Sequence, residues 1–120
     1  MSLSIAIPTF NSSKYLEELL NQAYKIQKVT EIVIQDDASD ESDFRLIKET
    51  VKNFKKYSDV EIKLNRNDVN LGGFKNKYLA VKKCKNDTIY QIDSDNVISN
   101  STIKYLNKKD LSKLNKKLHI

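Results

Sequence analysis

Two aspartates spaced two residues apart follow an apolar run of the chain, as Asp93-Ser94-Asp95 after Thr88–Ile92. Carboxylates at positions i and i+2 just beyond a strand can both reach one side of a turn and offer hard oxygen ligands to Mg²⁺ or Mn²⁺. A cation held there would stabilise the negative charge that grows on a leaving phosphate. Because aspartates also cap helices and turns, and a lone D-x-D matches easily by chance, the position after a buried strand is what favours a metal site.

A second acid pair, Asp36-Asp37, follows the apolar run Thr30–Gln35. Adjacent side chains of an extended backbone point to opposite sides, so one carboxylate can support the loop while the other accepts hydrogen bonds from a base or ribose. The alternative is purely local, with turn formation by the acids and N-capping of the next helix by Ser39 or Asp40. Both interpretations can hold together.

Three further features of the sequence could bind a nucleotide diphosphate, namely Phe10, the pair Gly72-Gly73 and Lys75. Phe10 follows the run Leu3–Pro8 and could stack on a base, although an aromatic residue in this place more often packs inside. Gly72-Gly73 at a helix start lets backbone N–H groups approach a phosphate, and Lys75 adds a positive charge. The chain contains no G-x-G-x-x-G and no G-x-x-x-x-G-K-[ST] motif, which disfavours a dinucleotide-binding Rossmann domain and a P-loop NTPase. Its single histidine, His119, leaves a Ser/His/Asp mechanism unsupported.

The elements that must position these groups alternate between short apolar runs and segments of helical period. The runs are Leu3–Pro8, Thr30–Gln35, Val60–Leu64 and Thr88–Ile92. The helical stripes, which we expect to face the core, are Leu16, Leu19, Leu20 and Ala23; Phe44, Ile47, Val51 and Phe54; and Phe74, Tyr78 and Val81. This order predicts an α/β fold with a mostly parallel sheet and flanking helices, in which the loops after the strands meet at one edge.

Composition fits one folded domain of 120 residues, of which 39% are hydrophobic. The net charge of +5 arises in residues 100–120, with six lysines and one aspartate, because residues 1–99 carry 15 basic and 15 acidic side chains. A neutral body without a broad basic face argues against a nucleic-acid partner. Cys84 is the single cysteine, so we expect a buried thiol, no intrachain disulfide and no zinc site of familiar spacing.

The composition changes near Asn100, which predicts a domain over residues 1–99 and a basic, helical segment over residues 100–120. The apolar residues of this segment are Ile103, Leu106, Leu111, Leu114 and Leu118. We favour packing of this stripe on the body; the alternative is peripheral contact with anionic lipid. No apolar run approaches the ~20 residues that cross a bilayer, and no signal-peptide pattern opens the chain. The expected location is therefore cytoplasmic, or peripheral at the inner membrane face.

Four ordered segments together resemble family 2 glycosyltransferases, which have the Rossmann-like GT-A nucleotide-diphospho-sugar transferase fold. They are residues 5–11 (IAIPTFN), 31–39 (EIVIQDDAS), 70–73 (NLGG) and 91–96 (QIDSDN). The resemblance covers about residues 3–107 and is far more specific than any one motif. It implies a truncated GT-A fold that holds the nucleotide-sugar-binding half.

The resemblance also implies roles for single residues. Phe10 stands where the family places an aromatic against the base, and Asp37 matches the second acid of its D-D-x-S motif, which contacts uracil. The implied nucleotide-sugar site is Pro8, Phe10, Asp37, Lys75 and Asp93, and the implied ligands of Mg²⁺ or Mn²⁺ are Asp93 and Asp95. The implied reaction is inverting transfer of a sugar from a nucleotide sugar, UDP-linked, to the hydroxyl of a glycan or lipid-linked acceptor.

The chain departs from the family beyond this half. Family members continue into a region with the acceptor site and an acidic general base, whereas here only Asp110 follows Asp95 among the acidic residues. We therefore expect the general base to lie outside this chain. The alternative function is a module that binds a nucleotide sugar without turnover. A phospho-acceptor receiver domain is disfavoured because the acid pair follows the second strand instead of the first.

Overall fold

The computed structural model describes residues 2–109 and 118–119, and these form an α/β fold around one sheet. All strand pairs are parallel, in the order β3-β2-β1-β4-β5. The strands are β1 (Leu3–Thr9), β2 (Val29–Asp36), β3 (Glu61–Arg66), β4 (Thr88–Gln91) and β5 (Leu118–His119). The predicted parallel sheet is confirmed, and the four predicted apolar runs are its first four strands.

The described residues also form four α-helices and one short 3₁₀ turn, Ser13–Tyr15. The helices are α1 (Leu16–Ala23), α2 (Glu41–Lys55), α3 (Gly73–Lys82) and α4 (Asn100–Lys108). The first turns of α1 and α2 contain acidic residues, which suit the partial positive charge at a helix N-terminus. The alternation of strands and helices over residues 3–108 brings every strand-to-helix loop among β1, β2, β3 and β4 to the carboxyl edge of the sheet.

Strand β1 lies at the centre of the core and is buried at all seven positions. Its side chains alternate between two apolar clusters, as expected for a strand covered on both faces. The larger cluster takes Leu3, Ile5 and Ile7 together with the buried stripes of α1, α2 and α4. The smaller one consists of Ala6, Val33, Ala80, Cys84 and Ile89 beneath α3. Burying each large aliphatic side chain contributes about 1.5–3 kcal/mol to the free energy of unfolding. The larger cluster therefore contributes more to stability than the smaller one.

The predicted apolar stripe of α3 is wrong for two of its three residues, whereas the third, Val81, is partly buried against the smaller cluster. Phe74 and Tyr78 are 88% and 59% exposed, and the buried positions of this helix are Asn76 and Ala80. Two contacts explain the orientation. The Asn76 side-chain amide donates to the Gln35 carbonyl oxygen at 2.9 Å, and the small Ala80 packs within the smaller cluster. A polar anchor has therefore turned this helix away from its apolar residues.

Helix α4 opens the segment that we predicted to be basic and helical. Its N-cap is Ser99, whose hydroxyl accepts from the Thr102 N–H at 3.2 Å, and its residues Ile103 and Leu106 are buried in the larger cluster. Leu111, Leu114 and Asp110 lie outside the described residues. Leu118 lies in β5, paired with Thr88 of β4, so the helical prediction is wrong at residues 118–119. The division into residues 1–99 and 100–120, the cytoplasmic location and the lipid contact stay predictions. No helix of the described part combines the length and apolar character needed to span a membrane.

A buried carboxylate, Glu31 of β2, contacts β1, β3 and the segment after α3. It lies at the amino end of the sheet, opposite to the strand-to-helix loops. Its Oε1 accepts from the Ser4 hydroxyl at 2.7 Å and from the Lys85 N–H at 2.8 Å. Its Oε2 lies 2.5 Å from the Lys63 ammonium. Burial alone raises the pKa of Glu31, but the bonds from Lys63, Ser4 and Lys85 outweigh it and hold the pKa below its ordinary value of 4.5.

Replacing Glu31 with glutamine is expected to lower the free energy of unfolding by about 2 kcal/mol near neutral pH, because charge-assisted hydrogen bonds are lost. A carboxyl group with a lowered pKa stabilises the fold above its unfolded-state pKa, and this stabilisation is lost as the pH falls through the folded-state pKa. The gap between the wild type and Glu31→Gln should therefore close below the ordinary value of 4.5. Urea unfolding across this pH range measures it. Glu61→Gln is the control, since Glu61 pairs with Lys85 in solvent and should matter little; a gap that stays constant with pH would contradict the assignment.

Candidate nucleotide and metal site

A cleft of about 430 Å³ opens at the carboxyl edge of the sheet, a volume within the usual range of ~300–1,000 Å³ for small-molecule sites. The ends of β1, β2 and β4 and the first turns of α3 surround it. Five of the predicted residues line this one cleft: Pro8, Phe10, Asp37, Asp93 and Asp95. They come together because parallel strands bring their carboxyl ends to the same edge. The lining does not include Lys75.

The loop after β1 presents Phe10 to the cleft. The ring is 50% exposed, so the alternative of a core aromatic does not apply. Asn11, which has a positive φ of 48°, ties this loop to the start of α2. Its N–H donates to the Ser39 hydroxyl at 2.8 Å, and its side-chain oxygen accepts from the Asp40 N–H at 2.9 Å. An exposed aromatic face on an anchored loop can stack on a planar base.

Asp36, the last residue of β2, has a structural role. It is fully buried, and its carboxylate accepts from the Ser39 N–H at 2.9 Å and from the Ser39 hydroxyl at 2.5 Å. Burial raises the pKa of Asp36, although the two bonds from Ser39 oppose the shift. The sequence also offered Ser39 or Asp40 as a helix cap; Asp40 occupies the N-cap position of α2 without a side-chain capping bond. Ser39 instead stabilises the turn that follows the acid pair.

Asp37 faces the other way and holds the loop that leads into α3. Its Oδ1 accepts from the Leu71 N–H at 2.8 Å and from the Asn67 amide at 2.9 Å. Its Oδ2 accepts from the Gly72 N–H at 3.0 Å. A carboxylate offers about four acceptor positions, and these three bonds leave one on the Oδ2 of a side chain that lines the cleft but is only 2% exposed. Both acids of the pair therefore support loops, and the Gly72 N–H that the sequence assigned to phosphate already has an acceptor.

A chain of side-chain amides below Asp37 was not anticipated from the sequence. Gln35 donates to the Asn67 side-chain oxygen at 2.7 Å. The Asn67 amide donates to Asp37 and, at 2.9 Å, to the Asn76 side-chain oxygen. Asn76 in turn donates to the Gln35 backbone. The chain connects the ends of β2 and β3 to α3. Its one sequence signal was an asparagine within a helix otherwise expected to pack through apolar residues.

Replacing Asn76 with alanine is expected to lower the free energy of unfolding by about 2 kcal/mol, because the partly buried amide of Asn67 and the carbonyl of Gln35 each lose a partner. Urea denaturation measures this. Asn53→Ala on the exposed face of α2 is the matched control and should be neutral or slightly stabilising, since alanine favours helices. Equal stability of the two variants would show that the amide chain contributes nothing.

The D-x-D segment continues alongside β1 beyond the end of β4. The Ile92 N–H donates to the Ala6 carbonyl at 3.0 Å, and the Ser94 N–H donates to the Pro8 carbonyl at 3.3 Å. The buried Ser94 hydroxyl bonds to the Ser12 hydroxyl at 2.5 Å. The middle residue of the motif therefore anchors the loop, which leaves the two flanking aspartates at the cleft.

These aspartates have different environments. Asp93 is half-exposed; its Oδ1 accepts from the Gln91 amide at 3.1 Å and lies 3.6 Å from the Lys77 ammonium. Asp95 is exposed, and within residues 2–109 no hydrogen bond or ion pair holds its carboxylate. Asp95 is thus the more available of the two for an incoming cation.

Lys77, and not Lys75, is the lysine of α3 that lines the cleft. Residues three or four apart share a helix face, and Gly73, Asn76 and Lys77 all face the cleft, whereas Lys75 is exposed elsewhere. The sequence assigned the basic residue of the site to Lys75, whereas the structure places Lys77 at the cleft.

The side chains that could act as metal ligands determine which kind of metal the cleft could bind. In the described part of the chain, no group of three or more His, Cys, Asp or Glu side chains could hold a metal by itself. Mg²⁺ and Mn²⁺ accept carboxylate oxygens and are often bound by one or two carboxylates together with phosphates and water. Asp93 and Asp95 therefore fit a divalent cation that binds jointly with a phosphate group.

Comparison with known proteins assigns the chain to a family. Residues 4–109, which include every acid of the cleft, match the family described as glycosyl transferase family 2. The chain belongs to this family. The fold and the resemblance expected from the sequence are thereby confirmed.

Two curated relatives of this glycosyltransferase family 2 chain are themselves glycosyltransferases. The poly(ribitol-phosphate) beta-N-acetylglucosaminyltransferase TarS of Staphylococcus aureus is 30% identical over 108 residues, which are 87% of this chain and 18% of TarS. The abequosyltransferase RfbV of Salmonella typhimurium is 32% identical over 109 residues, which are 88% of this chain and 32% of RfbV. The chain thus spans less than one third of the length of these relatives.

Solved structures show the same fold. The crystal structure of S. aureus TarS residues 1–349 superposes with a TM-score of 0.68 at 28% identity, over 87% of this chain and 30% of that one. The mannosyltransferase PcManGT of Pyrobaculum calidifontis, solved in complex with GDP-Man and Mn²⁺, gives a TM-score of 0.71 over 88% of this chain and 30% of that one. At 18% identity, the second likeness establishes the shared GT-A fold.

Proposed function

We propose that this chain is the donor-binding part of a glycosyltransferase that binds a nucleoside diphosphate sugar, UDP-linked, together with Mg²⁺ or Mn²⁺. The sugar passes with inversion to a hydroxyl of a glycan or lipid-linked acceptor. The observation that carries the proposal is the convergence of Phe10, Asp37, Asp93 and Asp95 on one cleft. An aromatic face can stack on the base, and an acceptor carboxylate can bind an N–H of the nucleoside. A pair of carboxylate ligands can hold the cation that accompanies a diphosphate.

Each of these residues has a defined task in the proposed site. Phe10 stacks on the base, and the remaining acceptor position of Asp37 takes an N–H of uracil. Asp93 and Asp95 provide the carboxylate oxygens for the cation, which, when bound, stabilises the negative charge of the departing diphosphate. The amide chain and the bonds of Asp37 keep the loop before α3 in place, so little reorganisation is needed when the donor binds.

The acceptor side of the reaction needs a group that removes the proton of the attacking hydroxyl. No carboxylate is assigned to this task here, and Asp110 lies outside the described residues. In the proposed site the three acids that line the cleft serve the donor and the cation, and none of them is the general base.

Calorimetric titration tests donor binding. UDP is expected to bind the chain more tightly with Mn²⁺ than with EDTA, and GDP is expected to bind more weakly than UDP because the purine does not offer the same edge to Asp37. A matched assay follows release of UDP from UDP-sugars with and without acceptor. Metal-dependent binding without turnover would identify the binding-module alternative. The absence of binding by either nucleotide, with or without metal, would refute the proposed function.

A further inference from the structure

The ion pair between Lys77 and Asp93 lies inside the proposed donor site. The Lys77 Nζ is 3.6 Å from the Asp93 Oδ1, and both residues line the cleft. Asp93 also accepts from Gln91. One of the two proposed metal ligands is therefore already next to a positive charge supplied by the protein itself.

This pair can be broken at small cost. The two side chains are 47% and 46% exposed, and ion pairs with this exposure contribute little because water screens them. A lysine ammonium is a compact charge with three donors on a flexible four-carbon stem. It can leave one oxygen for another nearby without a change in the helix.

A divalent cation at Asp93 and Asp95 changes the balance of charges around Lys77. A cation held by Asp93 would compete with the ammonium for this carboxylate and would repel the ammonium, since both are positive. A diphosphate bound to the same cation brings several negative oxygens into the cleft. Lys77 then has a stronger partner than the carboxylate it leaves.

We propose that Lys77 is a displaceable counter-ion, which neutralises Asp93 when the donor is absent and moves to a diphosphate oxygen when the cation and donor bind. This inference rests on the proposed function and assigns the basic residue of that site. It gives Lys77 two opposite effects. The lysine competes with the metal for Asp93, and it strengthens binding of the diphosphate.

The variant Lys77→Met removes the charge and keeps most of the apolar stem. With Mn²⁺ at a saturating concentration, its affinity for UDP and for inorganic pyrophosphate should fall about fivefold, because a charged contact is lost. Its affinity for Mn²⁺ alone should rise about threefold, because the competitor is gone. Lys77→Arg should keep the diphosphate affinity close to that of the wild type. Lys75→Met is the matched control on the same helix and should change neither affinity.

The measurements are calorimetry for UDP and pyrophosphate, and the electron paramagnetic resonance signal of free Mn²⁺ for the metal, with thermal unfolding to confirm the fold of each variant. Opposite changes in the two affinities of Lys77→Met support the inference. If the wild type binds UDP and Mn²⁺ but Lys77→Met matches Lys75→Met, the inference fails while the proposed function stands. If Lys77→Met loses affinity for both ligands, Lys77 supports the site structurally and the counter-ion role is overturned. If the wild type binds neither ligand, both proposals fail.

Discussion

Replacing Asp95 with asparagine is expected to abolish the dependence of UDP binding on Mn²⁺. The amide keeps the size of the side chain but not its charge, and a neutral oxygen is a poor substitute where only two carboxylates face the cation. Asp95 is exposed at the cleft, so its loss should leave the fold unchanged. Calorimetric titration of UDP should give the same dissociation constant with Mn²⁺ as with EDTA.

The control for this variant is Asp87→Asn. Asp87 is an exposed aspartate that precedes the same strand, β4, at the opposite edge of the sheet. It makes the same change in net charge without touching the cleft, and the Mn²⁺ dependence should survive. A wild-type response to Mn²⁺ in Asp95→Asn would show that this residue is not a metal ligand.

Replacing Asp37 with alanine is expected to weaken UDP binding about tenfold or more, both with Mn²⁺ and with EDTA. Two causes act together. The variant loses the acceptor proposed for the base, and it releases the Leu71 and Gly72 N–H groups that position the loop before α3. The same loss should lower the free energy of unfolding by about 3 kcal/mol, since three hydrogen bonds end on this buried carboxylate. Calorimetry and urea unfolding measure the two effects.

Asp68→Ala separates the specific effect from that of a lost charge. Asp68 is an exposed acid in the same loop, and its replacement should change neither UDP affinity nor stability by much. If Asp37→Ala is destabilised but binds UDP like the wild type, Asp37 has only a structural role. The proposed contact with the base would then have to be abandoned.

The two acid pairs show which features of the site the sequence predicts. Parallel order follows from the alternation of apolar runs and helical stripes, and it places Asp37 and Asp95 at the same edge whatever the details of the loops. Which bonds these acids make does not follow from it. The partners of Asp37 are Asn67, Leu71 and Gly72, and no local pattern shows that a carboxylate after β2 will accept backbone N–H groups from a loop more than thirty positions away.

Helix α3 shows that the sequence pattern did not predict which side chains of a helix face the core. Its apolar residues predicted a core face through Phe74 and Tyr78, yet a buried asparagine and a small alanine decide its rotation. The side chains that this helix buries are the amide of Asn76, which donates to the Gln35 carbonyl oxygen at the end of β2, and the small Ala80. The same rotation brings Lys77 to Asp93 and takes Lys75 away from the cleft.

The amino-acid sequence by itself determined the α/β fold, the family and the residues that stand at the strand ends, because hydrophobic period and motif order are properties of consecutive residues. Only the tertiary structure decided which acceptor positions of Asp37 are occupied, which lysine enters the cleft and how the amide chain links β2, β3 and α3. These features depend on the rotation of helices about their axes and on contacts between residues far apart in the sequence. The order of residues along the chain does not show either of them.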